Sequence, residues 1–172
     1  TGSTGRDKCD PCAPGYFMPN TAATVCFDCT PGTFTDVPGS TGCLDCAVGK
    51  FAQGAHKDTC DPCPRGYYTN RTKTITCTPC DSGHYQDNPG KTVCFLSEPG
   101  TATANPGQPT CAGCALGKYV TGRGNTVCKN CQPGEFQDTI GQTTCLPCDQ
   151  GKYSDATSQT SCTDCRLGTV TN

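Results

Sequence analysis

Large apolar side chains are scarce in this chain of 172 residues. Tryptophan is absent, methionine occurs once, and Val, Ile, Leu and Phe together supply only 20 residues. A chain so poor in large apolar groups cannot build a large conventional core. No apolar run approaches the roughly 18 residues that a membrane-spanning helix needs. The sequence therefore excludes a large core and predicts no membrane span in this segment.

The chain also lacks a large excess of positive or negative charge. Charged residues make up 16% of the chain, the formal net charge is −2, and lysines and arginines stand singly. Without a basic patch we predict no nucleic-acid partner. The two histidines, His56 and His84, lie at different phases of the repeat described below, and no acid pair or nucleophile with a base accompanies them. We predict a protein that is not an enzyme, with no catalytic residue, no cofactor and no metal site.

Cysteine, glycine and proline are abundant. The chain has 19 cysteines, 21 glycines and 14 prolines. Cysteine at this density indicates a disulfide scaffold in an oxidising compartment, which places the protein outside the cell, either secreted or at the cell surface. Frequent glycine and proline favour short strands and tight turns over helices.

The cysteines define an internal repeat of 17 residues. The first cysteine of each repeat is Cys9, Cys26, Cys43, Cys60, Cys77, Cys94, Cys111, Cys128, Cys145 or Cys162. The second follows three residues later, at Cys12, Cys29, Cys46, Cys63, Cys80, Cys114, Cys131, Cys148 and Cys165, and Ser97 stands in its place once. We therefore predict one continuous array over residues 1–172, with partial repeats at both ends.

Each repeat also carries a glycine, and most carry an aromatic residue two positions later, so the unit reads C-x-x-C-x-x-G-x-[FY]. Ala102 and Val170 replace the aromatic. The glycine is predicted to adopt a backbone angle that residues with a Cβ avoid. The aromatic side chain is predicted to stack over a neighbouring disulfide as a miniature core.

Turn signals separate the aromatic from the next cysteine. Asp36–Gly39, Asp87–Gly90 and Asp138–Gly141 share an Asp-x-x-Gly pattern that is typical of a chain reversal. The stretch after the turn, such as Gln142–Cys145, is predicted to pair with the stretch before it. The predicted fold is small, disulfide-rich and mostly β or irregular: an elongated rod of ten tandem hairpin-loop repeats with little or no helix.

Three interpretations compete for the C-x-x-C pairs. Zinc knuckles close in pairs, whereas every motif here has equivalent neighbours on both sides and one lacks its second thiolate at Ser97. Thiol–disulfide exchange usually needs a helix N-terminus beside the motif, which the glycines and prolines that follow disfavour. A structural disulfide framework is the third interpretation and the favoured one.

The simplest repeating connectivity joins the second cysteine of one repeat to the first of the next; bonds within each C-x-x-C are the strained alternative. The predicted disulfides are Cys12–Cys26, Cys29–Cys43, Cys46–Cys60, Cys63–Cys77, Cys80–Cys94, Cys114–Cys128, Cys131–Cys145 and Cys148–Cys162. Cys9, Cys111 and Cys165 are predicted to be unpaired or inter-subunit. Cys111, opposite Ser97, either cross-links another chain or is buried as an inert thiol.

The pattern resembles the ephrin-receptor-like cysteine-rich repeats and, more distantly, the first loop of tumour-necrosis-factor-receptor modules. The segments closest to it are Cys29-Thr30-Pro31-Gly32-Thr33-Phe34 and Cys131-Gln132-Pro133-Gly134-Glu135-Phe136. The resemblance covers the whole chain and implies an extracellular disulfide-linked rod. These repeats occur in receptors, adhesins and coat proteins, so it implies no particular ligand.

We expect a structural extracellular glycoprotein that self-associates into a longer array or fibre. The chain begins eight residues before a repeat and stops eleven residues into another, so the array is expected to continue. Asn70 begins the N-glycosylation sequon Asn70-Arg71-Thr72. The alternative is a cell-surface recognition or adhesion module for a protein or glycan, for which Tyr16 and Tyr67, predicted to face outward, are the hint.

Overall fold

The computed structural model describes residues 10–21 and 24–169. In these residues the chain forms eighteen strands of two residues each and no helix. Eight disulfides recur with the 17-residue repeat. The predicted small, disulfide-rich, mostly β and irregular fold is therefore confirmed.

Consecutive strands pair into two-stranded hairpins, nine in the described part of the chain. The paired strands are β1 (Tyr16–Phe17) with β2 (Phe27–Asp28), β3 (Thr33–Phe34) with β4 (Leu44–Asp45), β5 (Lys50–Phe51) with β6 (Asp61–Pro62), β7 (Tyr67–Tyr68) with β8 (Thr78–Pro79), β9 (His84–Tyr85) with β10 (Phe95–Leu96), β11 (Thr101–Ala102) with β12 (Ala112–Gly113), β13 (Lys118–Tyr119) with β14 (Lys129–Asn130), β15 (Glu135–Phe136) with β16 (Leu146–Pro147), and β17 (Lys152–Tyr153) with β18 (Thr163–Asp164).

The repeat sequence determines where each strand lies. The first strand follows the glycine and ends at the aromatic position, and the second is formed by the two residues between the cysteines. The second strand was predicted to end at the first cysteine, so its predicted position was wrong. The amide of Cys46 donates to the carbonyl of Gly32 at 2.9 Å, which sets the register in which Phe34 pairs with Leu44.

The chain divides into two compact units whose segments alternate along the sequence. One unit contains the residues up to Pro64, Tyr68–Thr78 and Pro89–Thr92, and the other contains Arg65–Tyr67, Pro79–Asn88 and the residues from Val93 onward.

In the first unit, backbone groups hold each hairpin to those that follow. The amide of Gly32 donates to the carbonyl of Ala52 at 2.8 Å, and the amide of Ala52 donates to the carbonyl of Thr74 at 3.1 Å. The amide of Lys73 donates to the carbonyl of Cys46 at 2.9 Å. These bonds depend on the path of the main chain and not on side-chain type.

The second unit contains the same bonds at equivalent positions. The amide of Gly83 donates to the carbonyl of Thr103 at 2.8 Å, and the amide of Thr103 donates to the carbonyl of Asn125 at 3.0 Å. The amide of Gly124 donates to the carbonyl of Ser97 at 2.9 Å. Each unit therefore repeats a local set of backbone hydrogen bonds, as in other repeat proteins in which a unit contacts mainly its neighbours.

Candidate functional site

Disulfides close every hairpin loop but one in the described residues. They are Cys12–Cys26, Cys29–Cys43, Cys46–Cys60, Cys63–Cys77, Cys80–Cys94, Cys114–Cys128, Cys131–Cys145 and Cys148–Cys162. Their Cα–Cα distances span 5.6–5.8 Å, within the usual range for a disulfide. Closing a loop of about 15 residues contributes about 3 kcal/mol in the chain-entropy model.

The most deeply buried positions are the second cysteine and the residue that follows the aromatic position. Cys29, Cys46, Cys63, Cys80 and Cys131 are fully buried. The buried residues after the aromatic position are Thr35, Ala52, Thr69, Gln86, Thr103, Val120, Gln137 and Ser154. Sequence reasoning missed this second position because its residues are small or polar and share no hydrophobic character.

Two of these buried residues are glutamines, and their amide groups are hydrogen-bonded within their own loops. Gln86 Nε2 donates to the carbonyl of Val93 at 2.7 Å, and Gln86 Oε1 accepts from the amide of Asn88 at 3.1 Å. Gln137 makes the equivalent bonds with Thr144 and Thr139. Each glutamine therefore fixes its loop from the inside, because a buried amide left without partners would be costly.

The aromatic side chains cover this buried layer and do not form it. Phe34 is partly buried and packs against the cluster of Cys46, Ala52 and Cys60, which contains the disulfide of the next hairpin. Tyr153 is 43% exposed. An aromatic placed over a neighbouring disulfide was predicted, and Phe34 shows it; the centre of the core is the disulfide itself.

The repeat glycines adopt positive φ angles, as predicted, with Gly32 at +86° and Gly49 at +78°. The structure adds a second reason for glycine. A Cβ on Gly49 would overlap the carbonyl of Gly90, and a Cβ on Gly83 would overlap the carbonyl of Gly124. Gly49 and Gly83 therefore each permit a close approach by a turn two repeats further along the chain.

The turn residue also has a positive φ angle. It contacts the residue that precedes the second cysteine of the preceding repeat. His56 (φ 60°) and Lys73 (φ 56°) occupy the turn position where most repeats have glycine. His56 Nδ1 lies 2.9 Å from Asp28 Oδ1, and Lys73 Nζ lies 3.6 Å from Asp45 Oδ1. Both pairs join positions 28 residues apart, so a basic turn residue is matched by an acidic partner.

Where the turn residue is glycine, the partner is apolar. A Cβ on Gly90 would meet Pro62 Cβ at 3.5 Å, and a Cβ on Gly124 would meet Leu96 Cδ2 at 2.7 Å. Leu96 therefore fills the space that a turn side chain would need. In these four repeats the turn position therefore lies against the residue 28 positions earlier.

The hairpin closed by β12 has no disulfide. Ser97 is fully buried where the other repeats have their second cysteine, and its hydroxyl donates to the carbonyl of Asn125 at 3.2 Å. Cys111 and Cys165 form no disulfide and are partly exposed. Cys9 lies outside the described residues.

Thr103 carries the one buried side-chain polar atom that lacks a hydrogen-bond partner in the described residues. The equivalent hydroxyls are paired: Thr35 with Ser40 at 2.6 Å, and Thr69 with Thr74 at 2.9 Å. Gln108 occupies the corresponding place five residues after Thr103. The loop of this repeat therefore leaves the hydroxyl unsatisfied.

Tyr16 and Tyr67 were predicted to face outward, and this prediction was wrong. Tyr16 stacks on His56 with ring centroids 5.1 Å apart, and Tyr67 lies against Gly107, where a Cβ would be 3.3 Å from its hydroxyl oxygen. Both rings are partly buried over a turn. They pack between hairpins and add no exposed patch.

No group of three or more His, Cys, Asp or Glu side chains is placed to hold a metal ion within residues 10–21 and 24–169. The same residues contain no helix that is long and apolar enough to cross a membrane. The geometry thus offers a cross-linked scaffold with varied side chains on its surface.

The family model described as tyrosine-protein kinase ephrin type A/B receptor-like matches residues 1–46, 49–92 and 134–172, more than half of the chain. No curated protein matches the sequence. The family and the many disulfides point to an extracellular cysteine-rich module of cell-surface type. With its repeated cysteine framework, the chain belongs to the ephrin-receptor-like family.

Proposed function

We propose that this chain is a structural segment of an extracellular glycoprotein whose repeats form, or belong to, a fibre or cell-surface appendage. The observation that supports the proposal is the recurrent backbone bonding in each unit, such as that of Gly32 with Ala52 and of Gly83 with Thr103. Because main-chain groups make these bonds, repeats with different surfaces stack in the same way. Such a scaffold can lengthen without a new interface.

The disulfides suit a protein that has to withstand mechanical force. Each closes one hairpin locally, so stability does not depend on one large core. Force or proteolysis that opens one hairpin leaves the cross-links of its neighbours in place. The role needs no catalytic or cofactor site.

N-glycosylation at Asn70 is part of the proposal. Asn70, Arg71 and Thr72 are exposed. The loop is held by Thr74, whose hydroxyl lies 2.9 Å from the Thr69 hydroxyl and donates to the carbonyl of Arg71 at 2.9 Å. A glycan on Asn70 would therefore break none of these bonds.

Asn125 provides a contrast within the same chain. Its side-chain amide donates to the carbonyls of Thr121 and Gly122, each at 3.0 Å, and so helps to shape its own loop. Asn125 also lies outside any Asn-x-Ser/Thr sequence. Asn70 is the asparagine that combines the sequon with an exposed side chain.

Secretion of the chain from a eukaryotic host, followed by negative-stain electron microscopy and intact-mass analysis, tests the proposal. We expect ordered fibres or linear assemblies, and a glycan mass that peptide N-glycosidase removes. The matched variant Asn70→Gln should lose that mass and retain the assemblies. Dispersed monomers at all concentrations would contradict the fibre role, and an unmodified Asn70 would contradict glycosylation.

A cell-surface recognition module is the second candidate, favoured by exposed aromatic pairs. Phe27 and Phe95 are each 48% exposed and lie beside Phe17 and Tyr85, with ring centroids 5.9 and 6.0 Å apart. Exposed aromatics are enriched where proteins bind partners. Probing an array of extracellular proteins with the labelled chain tests this candidate; binding that Phe27→Ala or Phe95→Ala abolishes would favour recognition over a purely structural role.

A further inference from the structure

A groove of about 390 Å³ opens beside the first two hairpins, within the first compact unit. The residues that line it are Phe17, Phe27, Asp28, Thr30, Thr33, Cys43, Asp45 and Lys73. They combine an aromatic surface with two carboxylates in one concave site. Such a combination is typical of a site that takes a ligand with an apolar or flat body and a charged group.

Phe17 and Phe27 form the aromatic wall. Their ring centroids are 5.9 Å apart, and their planes are tilted by 41°. Phe27 is 48% exposed, although large apolar side chains are scarce in this chain. A planar cationic group can therefore reach a ring face here from solvent.

Asp28 and Asp45 provide the negative charge. Each uses its Oδ1 atom in one contact, with His56 Nδ1 at 2.9 Å and with Lys73 Nζ at 3.6 Å. The carboxylate side chains are 52% and 51% exposed, so an incoming cation can approach them.

Lys73 does not cancel this charge. Its 3.6 Å contact with Asp45 joins two side chains that are each more than half exposed, at 58% and 51%. Long, exposed ion pairs of this kind contribute little and exchange readily for other partners. Counted over the lining side chains, the two aspartates and Lys73 give the groove a formal net charge of −1.

We propose that this groove binds an arginine side chain of a partner protein. The guanidinium plane stacks on the exposed face of Phe27 while its N–H groups donate to the carboxylates of Asp28 and Asp45. Arginine suits the site better than lysine because a flat group can both stack on a ring and form paired hydrogen bonds.

An equivalent aromatic pair four repeats later provides an internal control. Tyr85 and Phe95 have ring centroids 6.0 Å apart, similar to the first pair. Leu96 and Gly113 occupy the positions that correspond to Asp28 and Asp45. The aromatic surface is thus present there without the two carboxylates, so arginine should favour the first groove.

The test is an NMR titration of the oxidised, ¹⁵N-labelled chain with acetyl-Gly-Arg-Gly-amide, and with the uncharged citrulline peptide as the probe control. We expect saturable shifts of the amides of Phe17, Phe27, Asp28 and Asp45 with the arginine peptide, at a Kd in the range of about 1–10 mM for a single side chain. Phe27→Leu, which keeps an apolar side chain but removes the ring, should raise the Kd about fivefold. Phe95→Leu should leave it unchanged.

The charge contribution is tested separately with Asp28→Asn combined with Asp45→Asn, which should raise the Kd about tenfold. Asp164→Asn, a change at a side chain that is 81% exposed and outside the groove, should have no effect. If the double variant loses its native spectrum, a rise of the Kd with added NaCl provides the charge test on the native chain.

Equal shifts with the citrulline peptide, equal loss of affinity in Phe95→Leu, or no saturable shift would overturn the inference. It deepens the recognition candidate but can fail separately. A protein-array partner that binds through Phe27 without competition from the arginine peptide would remove the arginine assignment and leave recognition intact. If no protein on the array binds but the arginine peptide still does, the recognition candidate fails and the arginine assignment stands.

Discussion

At the scale of single residues, space for a Cβ atom decides which glycines can change. Gly49 has a positive φ angle, and a Cβ there would overlap the carbonyl of Gly90. Gly54 is exposed, and a Cβ added to it would have no other atom within 4 Å. The positions are five residues apart, yet one is fixed by backbone packing and the other is not.

We expect Gly49→Ala to destabilise the chain by more than about 2 kcal/mol, because an unfavourable φ angle adds to a backbone overlap. Gly54→Ala should change stability by less than about 1 kcal/mol, in the stabilising direction if its backbone angles suit alanine. Thermal unfolding of the oxidised variants measures both. Equal melting temperatures for the two variants would show that the contact with Gly90 is unimportant.

Buried hydroxyls provide a second comparison. Thr103→Val removes a hydroxyl that has no partner, so we expect stabilisation of about 1 kcal/mol. Thr69→Val removes the bonds with Thr74 and Arg71 and should destabilise by about 1–3 kcal/mol. Valine fits this position in another repeat, at Val120. Denaturant unfolding checks the opposite signs; destabilisation of similar size in both variants would contradict them.

At this scale the sequence predicted the positive φ angle of Gly49. It did not predict the difference between Gly49 and Gly54, nor the difference between Thr103 and Thr69. The contact of Gly49 with Gly90 joins residues two repeats apart, and no local pattern records it. The buried position after the aromatic was missed because Ala52, Gln86 and Val120 share burial but no chemical type. Gln86 is buried because its amide finds partners in its own loop.

At the scale of the hairpin, the disulfide and the second strand form one element. The amide of Cys46 bonds to Gly32 while its sulfur bonds to Cys60, so the cysteine fixes both the hairpin register and the loop closure. The sequence predicted the hairpin but placed its second strand too early. Residues before the first cysteine have β-forming side chains, but those between the cysteines have the hydrogen-bond partners.

Ser97→Cys should complete the one hairpin of the described residues that has no disulfide, by bonding to Cys111. The eight disulfides in the described part of the chain have Cα–Cα distances of 5.6–5.8 Å in the same repeat geometry. We expect stabilisation of up to about 3 kcal/mol, less the loss of the Ser97 bond to Asn125. Maleimide labelling and thermal unfolding measure thiol loss and stability.

Ser97→Ala is the matched control, since it loses the same hydroxyl without gaining a thiol. Its thiol labelling should equal that of the unchanged chain, with Cys111 still reactive. If Ser97→Cys instead gains a labelled thiol, the two positions do not meet as the repeat requires.

At the scale of the whole molecule, one bonding pattern extends through many sequences. In the first unit Gly32 bonds to Ala52, and in the second Gly83 bonds to Thr103. The fold needs neither a surface of one charge sign nor a large apolar core, because local disulfides and backbone hydrogen bonds recur along the chain. This accounts for a folded chain with so few large apolar residues.

A peptide map under non-reducing conditions tests the framework throughout the chain. We expect linked peptides for each loop, for example Cys12 with Cys26 and Cys148 with Cys162. Peptides that contain Cys111 or Cys165 should be recovered either alkylated and unlinked or cross-linked to another chain. Bonds within a C-x-x-C motif, such as Cys9 with Cys12, would overturn the repeating connectivity.

By itself the sequence determined the repeat, the absence of a large core and the family, and it predicted the disulfide framework, because a strict 17-residue spacing of cysteine and glycine encodes local turns and cross-links. The tertiary structure alone decided which positions are buried, where the second strand lies, and that Asp28 and Asp45 line one groove with Phe17 and Phe27. These features depend on contacts between repeats, which one period of the sequence does not contain.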